Sequence, residues 1–362
     1  MLQTMPTQRV HSLDILRASG MFVVLLWHSP KTLHPYYGPI GEIGWLAIDL
    51  FFILSGYLIT AQVFEAFVNK NEFSITKFYI RRGLRTLPVY WVMLAIYFLV
   101  PLARTSNDTP PLWEYLLFTV NFHQRQGINF GHVWSLCVEE QFYFVFPLIA
   151  ALVLPQRRWK LGLSILISVF IAGMFIRGYL WLYHVEGYPD FQARLMRYLY
   201  FPTWSRLDGV VLGIAIAALQ VFKPIYWEYL TRQGNWHLLA ALSFFSMSFP
   251  ILLNGPSFIS TTFAYPLACL GLTSLVMAAL SRNSYLASIY IPGARSIAIW
   301  SYSAYLVHIS VFNVVFDQMS RKWAISPSFL GLAIAIAISF AIAALSYKYI
   351  ERPFLKMRAR YI

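Results

Sequence analysis

The sequence predicts an all-α fold, a polytopic bundle of transmembrane helices with a few short interfacial helices. The 362 residues are 58% hydrophobic and only 12% charged, whereas about a quarter of the residues in a typical soluble domain are charged. Apolar stretches of about 20 residues, the length that an α-helix needs to cross a bilayer, recur from one end of the chain to the other. A membrane β-barrel would show short alternating segments instead.

Windows of about 20 residues give roughly ten candidate spans. They lie near 12–30, 43–63, 87–104, 133–154, 160–183, 205–222, 236–253, 261–280, 297–317 and 328–349. The segment 111–121, PLWEYLLFTVN, is about half as long as a span, so we interpret it as an interfacial or re-entrant helix, with an eleventh span as the alternative. The first window carries Asp14 and Arg17 and lacks a small-residue cleavage site, so we expect a retained span.

Basic residues are concentrated on alternate connections between these windows. One set of connections carries roughly three times as many Lys and Arg as the other, and the positive-inside rule places that set, with both termini, in the cytoplasm. The net charge of +13 is therefore a topology signal, and we expect no nucleic-acid partner. Without a linker or a soluble segment in the sequence, we expect a single transmembrane domain, 1–362.

Ionisable residues within spans are costly, so each of them is a candidate for function. Arg17 and His28 are eleven residues apart, which is within about 20° of three full helical turns, so they share a face at roughly 16 Å separation. Asp49 in the second window and Glu139 and Glu140 in the fourth are expected in the outer half of the membrane with His28. An alternative is that these groups serve only as structural partners, such as Asp49 with Arg17 or His28.

Two further sets of residues have both a functional and a structural interpretation. Arg81 and Arg85 share one helical face beside Arg82, so the three form either an anion site or an anchor to anionic lipid. His308 near the middle of the ninth window is either a site residue or a packing histidine. The two cysteines, Cys137 and Cys269, lie in apolar stretches and give no metal-ligand spacing, so we expect no metal.

Seven segments along nearly the whole chain together resemble the acyltransferase-3 family of integral membrane O-acyltransferases. In order they read LDILRASGMFVVLLWH, DLFFILSGYLI, KFYIRRGLRTLPVYW, HVWSLCVEEQFYFVFPL, WSRLDGVVLGIAIA, SYSAYLVH and YKYIERPF. The arginine and histidine separated by ten residues, a hallmark of the family, correspond to Arg17 and His28. Any one of these motifs is weak evidence, but seven in the same order are specific.

The resemblance implies an enzyme that transfers acetyl, or another short acyl group, from acyl-coenzyme A to a hydroxyl of an envelope carbohydrate, such as lipopolysaccharide O-antigen or another surface polysaccharide. It implies a bacterial inner (plasma) membrane location and makes Arg17 and His28 the catalytic pair. Arg81, Arg82 and Arg85 become candidates for binding the donor. Glu139 and Glu140 match the acidic pair of the family. Some relatives carry an extra extracytoplasmic domain, and we expect this chain to act without one.

The expected mechanism uses His28 as a general base that removes a proton from the acceptor hydroxyl. An imidazole with its ordinary pKa of about 6.5 is largely neutral at pH 7, and Asp49 or Glu139 is expected to orient it. A covalent acyl-histidine is the alternative to direct transfer.

On the acceptor side, an aromatic-rich outer segment places Arg194, Arg197 and Arg206 where an envelope glycan or lipid-linked sugar could bind, with His308 as a further substrate contact. The other interpretation of this segment is an interfacial aromatic belt. Two rival functions remain open: a transporter or flippase for an anionic solute or lipid-linked sugar, and a polytopic glycosyltransferase.

Overall fold

The computed structural model describes residues 10–70, 73–154, 159–323 and 326–361. Within these ranges the chain folds into helices joined by short connections and contains no strand. The predicted all-α fold class is confirmed. The first seven α-helices are α1 (His11–Trp27), α2 (Pro39–Ile43), α3 (Ala47–Lys70), α4 (Ile75–Leu99), α5 (Leu112–Leu116), α6 (Val120–His123) and α7 (Trp134–Val153).

The remainder of the described chain contributes ten further α-helices and four π-helical segments. The helices are α8 (Trp159–Leu180), α9 (Phe191–Arg194), α10 (Asp208–Phe222), α11 (Pro224–Thr231), α12 (Gly234–Leu253), α13 (Tyr265–Leu280), α14 (Tyr285–Ser288), α15 (Ala294–Trp323), α16 (Phe329–Ser346) and α17 (Arg352–Arg358). The π-helical segments are Trp181–Val185, Leu195–Tyr200, Ser260–Ala264 and Tyr347–Glu351.

Seven helical stretches in the described ranges are long and apolar enough to cross a membrane. They are Pro39–Val68, Gly131–Val153, Lys160–Val185, Gly234–Leu253, Ser260–Leu280, Ala294–Asp317 and Phe329–Arg358. Helices α10 and α11, which meet at an angle of 112°, would form an eighth stretch if they were a single broken span. The several apolar helices identify an integral membrane protein.

Three of the expected spans, those containing α1, α4 and α10, are not among these seven because of their length or their charge. Helix α1 has 17 residues and α10 has 15, so both are shorter than the usual spanning length of about 20 residues. Helix α4 is 25 residues long, but its first three turns carry Lys77, Arg81, Arg82 and Arg85. The count of about ten spans stays a prediction.

The segment 111–121 contains only short helices. Helices α5 and α6 have 5 and 4 residues, which at 1.5 Å per residue is less than about 8 Å each. Between them Phe118 has a φ of 55°, a left-handed conformation that interrupts a helix. The alternative of an eleventh span through this segment is therefore wrong.

The centre of the bundle is the pair α3 and α10. In the 18-residue apolar segment that represents each stretch, 78% of the residues are buried for the stretch containing α3 but only 11% for the stretch containing α12. Glycines allow the two backbones to approach closely, because a Cβ on Gly56 would lie 2.5 Å from the Val210 carbonyl oxygen and one on Gly213 would overlap the backbone of Ile53. Small residues of this kind are typical of tight helix packing in membranes.

Two other helix contacts position the candidate site. Helix α1 packs along α15 and also contacts α3, so the residues on one face of α1 point toward both neighbours. The short helix α17 packs against α4 near the other end of the bundle. These contacts bring residues from the beginning, middle and end of the chain together around one interior space.

Candidate active site

Two histidines from distant parts of the chain contact each other at the end of α1. His28 forms the C-cap of α1, and its Nδ1 lies 2.9 Å from the Val24 carbonyl oxygen and 3.2 Å from His308 Nε2. His308 on α15 is fully buried, and its Nδ1 lies 2.7 Å from the Tyr305 carbonyl oxygen. The packing of α1 along α15 produces this pairing.

The contacts of the two rings fix their tautomers when both are neutral. A carbonyl oxygen only accepts hydrogen bonds, so His308 Nδ1 donates to Tyr305 and His308 Nε2 carries a lone pair. His28 Nδ1 then donates to that lone pair and to the Val24 carbonyl. The lone pair of His28 consequently lies on Nε2, the nitrogen that is free to accept a proton from a substrate.

A third imidazole completes what we call the histidine cluster, His28, His132 and His308. The His132 ring lies 5.2 Å from the His308 ring, and its Nε2 is 3.3 Å from the Leu306 carbonyl oxygen. Sequence reasoning missed His132, although it is the first residue of the HVWSLCVEE motif. Among the described residues, no group of three or more His, Cys, Asp or Glu side chains is arranged to hold a metal ion.

The three expected carboxylates do not gather around His28. Asp49 accepts hydrogen bonds from Arg206 at 2.9 Å and from Tyr265 at 2.7 Å. Glu139 accepts from Ser55 and Tyr143, both at 3.0 Å. The expected cluster of one histidine and three carboxylates is wrong, because Asp49 and Glu139 accept hydrogen bonds from other side chains and Glu140 lies 3.9 Å from Arg82.

It follows that neither Asp49 nor Glu139 occupies the orienting position expected for a carboxylate. His308 lies there, at the Nδ1 atom of His28.

Arg82 joins the two glutamates of the acidic pair. Its guanidinium lies 3.9 Å from Glu139 and from Glu140 and stacks 3.6 Å above the ring of Tyr143. The sequence places Arg82 with the basic residues near one membrane face and the glutamates nearer the other. The structure instead brings them into one ion-pair group, because α4 and α7 are in contact.

A cavity of about 530 Å³ lies inside the bundle next to this group. Its basic lining residues are Arg17, Arg82, Arg85, Arg295 and Arg358, and its acidic ones are Glu139 and Glu351. We call it the arginine cavity, because five positive charges face two negative ones. Arg17 thus lines the same cavity as Arg82 and Arg85, two of the predicted donor-binding residues. Met21, one turn further along α1, also lines it.

The arginine cavity ends one side chain away from the histidine cluster. Ser135 and Tyr305 line its far end and are joined by a 2.7 Å hydrogen bond. The Tyr305 hydroxyl also donates to the His132 carbonyl oxygen at 2.5 Å, and the Tyr305 carbonyl accepts from His308. Tyr305 thus separates the cavity from the imidazoles and holds two of them in place.

A small recess adjoins the arginine cavity. It is lined by Arg81 together with Arg82, Arg85 and Arg358, and the last three line both spaces. The structure thus brings the predicted donor residues Arg81, Arg82 and Arg85 to one place. Sequence reasoning did not include Arg295, Arg358 or Glu351 among the site residues, although the YKYIERPF motif and the basic segment after it were a usable signal.

Arg206 was expected to bind the acceptor, but the structure buries it. Its side chain is 3% exposed, is paired with Asp49 and lies about 5 Å from four aromatic rings, those of Trp45, Trp134, Tyr200 and Tyr265. Such surroundings leave little room for a ligand.

A second buried ion pair lies beside the first. Arg177 on α8 donates to both carboxylate oxygens of Asp208, at 2.6 and 2.9 Å, and its guanidinium lies 4.8 Å from the Tyr265 ring. We call Asp49, Arg177, Arg206, Asp208 and Tyr265 the paired network. Arg177 was missed by sequence reasoning, although an arginine within an apolar stretch is itself a signal.

The other two predicted acceptor residues lie on the connection between α8 and α10. Arg194 donates to Asp190 at 2.7 Å and lies 3.7 Å above the Tyr188 ring, and its hydrogen bond holds the pKa of Asp190 below the usual value. Arg197 is exposed, with its guanidinium 5.7 Å from the Tyr198 ring. Neither residue lines the arginine cavity.

A family model described as an acyltransferase domain matches residues 10–348, nearly the whole chain. The chain belongs to the acyltransferase-3 family. The resemblance predicted from the seven motifs is therefore confirmed. Within this family match lie the histidine cluster, the acidic pair and four of the five arginines of the cavity.

Several curated proteins align with most of this chain. A candidate O-acetyltransferase of Staphylococcus aureus (strain COL) is 27% identical over 374 residues, covering 96% of this chain and 57% of the relative. The peptidoglycan O-acetyltransferase OatA of Listeria monocytogenes is 25% identical over 375 residues, covering 96% and 56%. A candidate peptidoglycan O-acetyltransferase of Bacillus subtilis, YrhL, is 26% identical over 374 residues, covering 95% and 54%.

The chain therefore spans a little over half the length of the curated relatives it matches. No solved structure matches it significantly.

Proposed function

We propose that this acyltransferase-3 chain is an O-acetyltransferase that moves an acetyl group from acetyl-coenzyme A to a hydroxyl of a cell-envelope glycan. The observation that carries the proposal is the arginine cavity, which ends at Tyr305, directly beside the contact between His28 and His308. A polyanion-binding space and a candidate base are thus one side chain apart.

The arginine cavity suits an acyl-coenzyme A donor in charge and in shape. Such a donor carries its phosphates at one end and its thioester at the other. Guanidinium groups bind phosphates through paired hydrogen bonds, and the volume of about 530 Å³ is that of a small-molecule site. With the phosphates at the arginines, the thioester arm points along α1 toward Tyr305.

His28 is the proposed general base. Its Nε2 lone pair removes the proton of the acceptor hydroxyl as that oxygen attacks the thioester carbon. The new carbon–oxygen bond forms while the carbon–sulfur bond breaks, and the proton on His28 returns to the departing coenzyme A sulfur. In the alternative course the acetyl group passes first to His28, and a trapped acetyl-histidine would identify it.

His308 is the proposed positioning residue for this base. By accepting from His28 Nδ1 it keeps the reactive lone pair on Nε2, and its own tautomer is held by the Tyr305 carbonyl. Carboxylates commonly do this work for catalytic histidines. A neutral imidazole in the same place stabilises the protonated base less strongly.

Transfer also requires a movement at Tyr305. The side chain separates the arginine cavity from His28, so the thioester reaches the base only when the hydrogen bond between Tyr305 and Ser135 opens. Side-chain rearrangement of this kind is a modest change and does not require the helices to separate. Tyr305 would thereby keep the donor from reacting before it is fully bound.

The proposed acceptor is an envelope glycan presented at the face opposite the donor, in the plasma membrane of a bacterium with both termini of the chain in the cytoplasm. The names of the Listeria and Bacillus relatives point to peptidoglycan rather than to lipopolysaccharide. Peptidoglycan is accordingly the first acceptor to test. Arg194 and Arg197 are the proposed contacts for acidic groups of the glycan or of a lipid-linked sugar.

The test uses purified protein in liposomes, radiolabelled acetyl-coenzyme A and separate pools of peptidoglycan and lipopolysaccharide. Labelled glycan is expected with the wild type and with His123→Ala, a control at an exposed histidine. The His28→Ala variant should lose roughly 10²- to 10⁴-fold in rate. No release of coenzyme A with any glycan pool would contradict the proposal and favour a transporter or flippase.

A further inference from the structure

Helix α17 completes the arginine cavity although it lies outside the matched family domain. The match ends at residue 348, whereas Glu351, Leu355 and Arg358 line the cavity. Helix α17 packs against α4, the helix that carries Arg81, Arg82 and Arg85. The donor site of this chain therefore includes a positive charge from beyond the family domain.

Arg358 lies at the end of the cavity that is farthest from the histidine cluster. Arg358 lines both the cavity and the adjoining recess. Along α3 the recess is lined only by Ile59, Gln62 and Val63, in the C-terminal half of that helix, whereas the cavity extends back to Ile48. On α4 the recess begins at Phe78, near the N-terminal end. Tyr305, which contacts His308, lines only the cavity and not the recess.

The recess concentrates positive charge without an acidic lining residue. Four arginines surround it, and among its described lining residues there is no carboxylate. The buried Nε atoms of Arg82 and Arg358 have no hydrogen-bond partner, as is also true of Arg206 in the paired network, but only these two line an open space. Like charges this close repel each other in a medium of low dielectric constant, and unsatisfied buried donors are costly. A phosphate would relieve both costs.

The position of Arg358 assigns it to one phosphate of the donor. If the thioester lies at Tyr305, as the proposed function requires, the nucleotide end lies at the recess. That end of coenzyme A carries a pyrophosphate and, beyond it, the ribose 3′-phosphate. A phosphate monoester carries about −1.5 to −2 charges at pH 7, the highest charge density in the molecule, and therefore suits the densest group of arginines.

We propose that Arg358 binds the ribose 3′-phosphate of the donor, so that α17 makes the site selective for coenzyme A thioesters over thioesters that lack this phosphate. The inference rests on the proposed function. It adds a specificity-determining residue that the family match does not contain. Thioesters of dephospho-coenzyme A and of pantetheine should then be poorer donors.

The experiment compares acetyl-coenzyme A with acetyl-3′-dephospho-coenzyme A, which differ only in the phosphate concerned. The wild type should show a KM for the dephospho donor that is roughly ten- to hundredfold higher, the loss expected for a charge-assisted hydrogen bond. Arg358→Gln should raise the KM for acetyl-coenzyme A by a similar factor and leave that for the dephospho donor unchanged. Lys356→Gln, an exposed position on the same helix, should change neither.

Two possible ligands of Arg358, the donor phosphate and an anionic lipid headgroup, are distinguished by repeating the measurement in vesicles of neutral phosphatidylcholine. An effect of Arg358→Gln that appears only in vesicles with anionic lipid would overturn the assignment. So would an equal rise in KM for both donors, which would show a structural role or a pyrophosphate contact.

If Arg358→Gln does not fold, the comparison of the two donors with the wild type still tests the inference. Equal KM values for the two donors would overturn the inference. Failure of the proposed function is distinct, since no donor would then support transfer. Binding of coenzyme A and dephospho-coenzyme A to the wild type, measured by calorimetry, checks the same preference without turnover.

Discussion

The bundle holds buried arginines in two regions, and the regions differ in how the positive charge is balanced. In the paired network, Arg177 and Arg206 each have a carboxylate partner within 2.9 Å, and all four charged side chains are at most 3% exposed. The arginine cavity is lined by five arginines and by two carboxylates, those of Glu139 and Glu351, and Arg82 lies 3.9 Å from both Glu139 and Glu140.

This difference separates structural arginines from binding arginines. A buried charge with a well-placed partner contributes to a defined packing of the helices, and removing the partner leaves an uncompensated charge. A group of arginines that lines an open cavity and outnumbers the acidic residues of its lining is instead ready to receive an anion. The same residue type at membrane depth thus has two roles, which only the partners distinguish.

The largest expected effect is on folding, from breaking the paired network. Arg177→Ala leaves Asp208 buried without its cation, which should cost about 3–5 kcal/mol in the free energy of unfolding. The measurement is the Tm in detergent together with the yield of monodisperse protein. An Arg177→Ala variant with the stability of the wild type would show that the network is not structural.

A smaller effect of the opposite kind is expected in the arginine cavity. Arg85→Gln should raise the KM for acetyl-coenzyme A roughly ten- to hundredfold, because a charge-assisted hydrogen bond to a phosphate is lost. The Tm without donor should stay the same or rise, since repulsion from the neighbouring arginines decreases. A lower Tm with an unchanged KM would remove the distinction between the two regions.

The smallest expected effect tests the positioning role of His308. His308→Ala should lower kcat by roughly tenfold, the value of one hydrogen bond, and leave the KM for the donor unchanged. His308→Gln retains an acceptor and should recover part of the rate. Equal losses in both variants, with a changed KM, would indicate a packing role instead.

Local spacing predicted those parts of the site that depend on a single helix. Arg17 and His28 share a face of α1 because eleven residues make three turns, and both face the interior that leads from the arginine cavity to the histidine cluster. Arg81, Arg82 and Arg85 converge for the same reason. Helical periodicity fixes such neighbours without any knowledge of the fold.

Partners on other helices could not be predicted from spacing. His308 is 280 residues from His28, and Asp49 is 157 residues from Arg206, so these contacts depend on which helices are neighbours. The sequence indicated that Asp49 needed a partner but not which one. His132 was marked in the sequence only by its place in the HVWSLCVEE motif. Arg358 follows the last predicted span, 328–349, and was therefore not considered as a site residue.

The expected spans that fall outside the seven apolar stretches differ from them in length or in charge. Hydropathy identifies long apolar helices well, but α4 carries Arg81, Arg82 and Arg85 and is therefore less apolar, and α1 has only 17 residues. Two of the helices that carry site residues, α1 and α4, are thus recognised less clearly than α3, α7 and α15. Their packing against α15 and α17, not their composition, places them within the bundle.

The central claim is that the donor enters at the arginines and the acceptor reacts near His28 on the other side of Tyr305. Oriented proteoliposomes test it most directly, with labelled acetyl-coenzyme A supplied only at the face that carries the chain termini and peptidoglycan fragments only at the opposite face. The account predicts labelled glycan in this arrangement. Label that appears only when donor and acceptor share a face would contradict it.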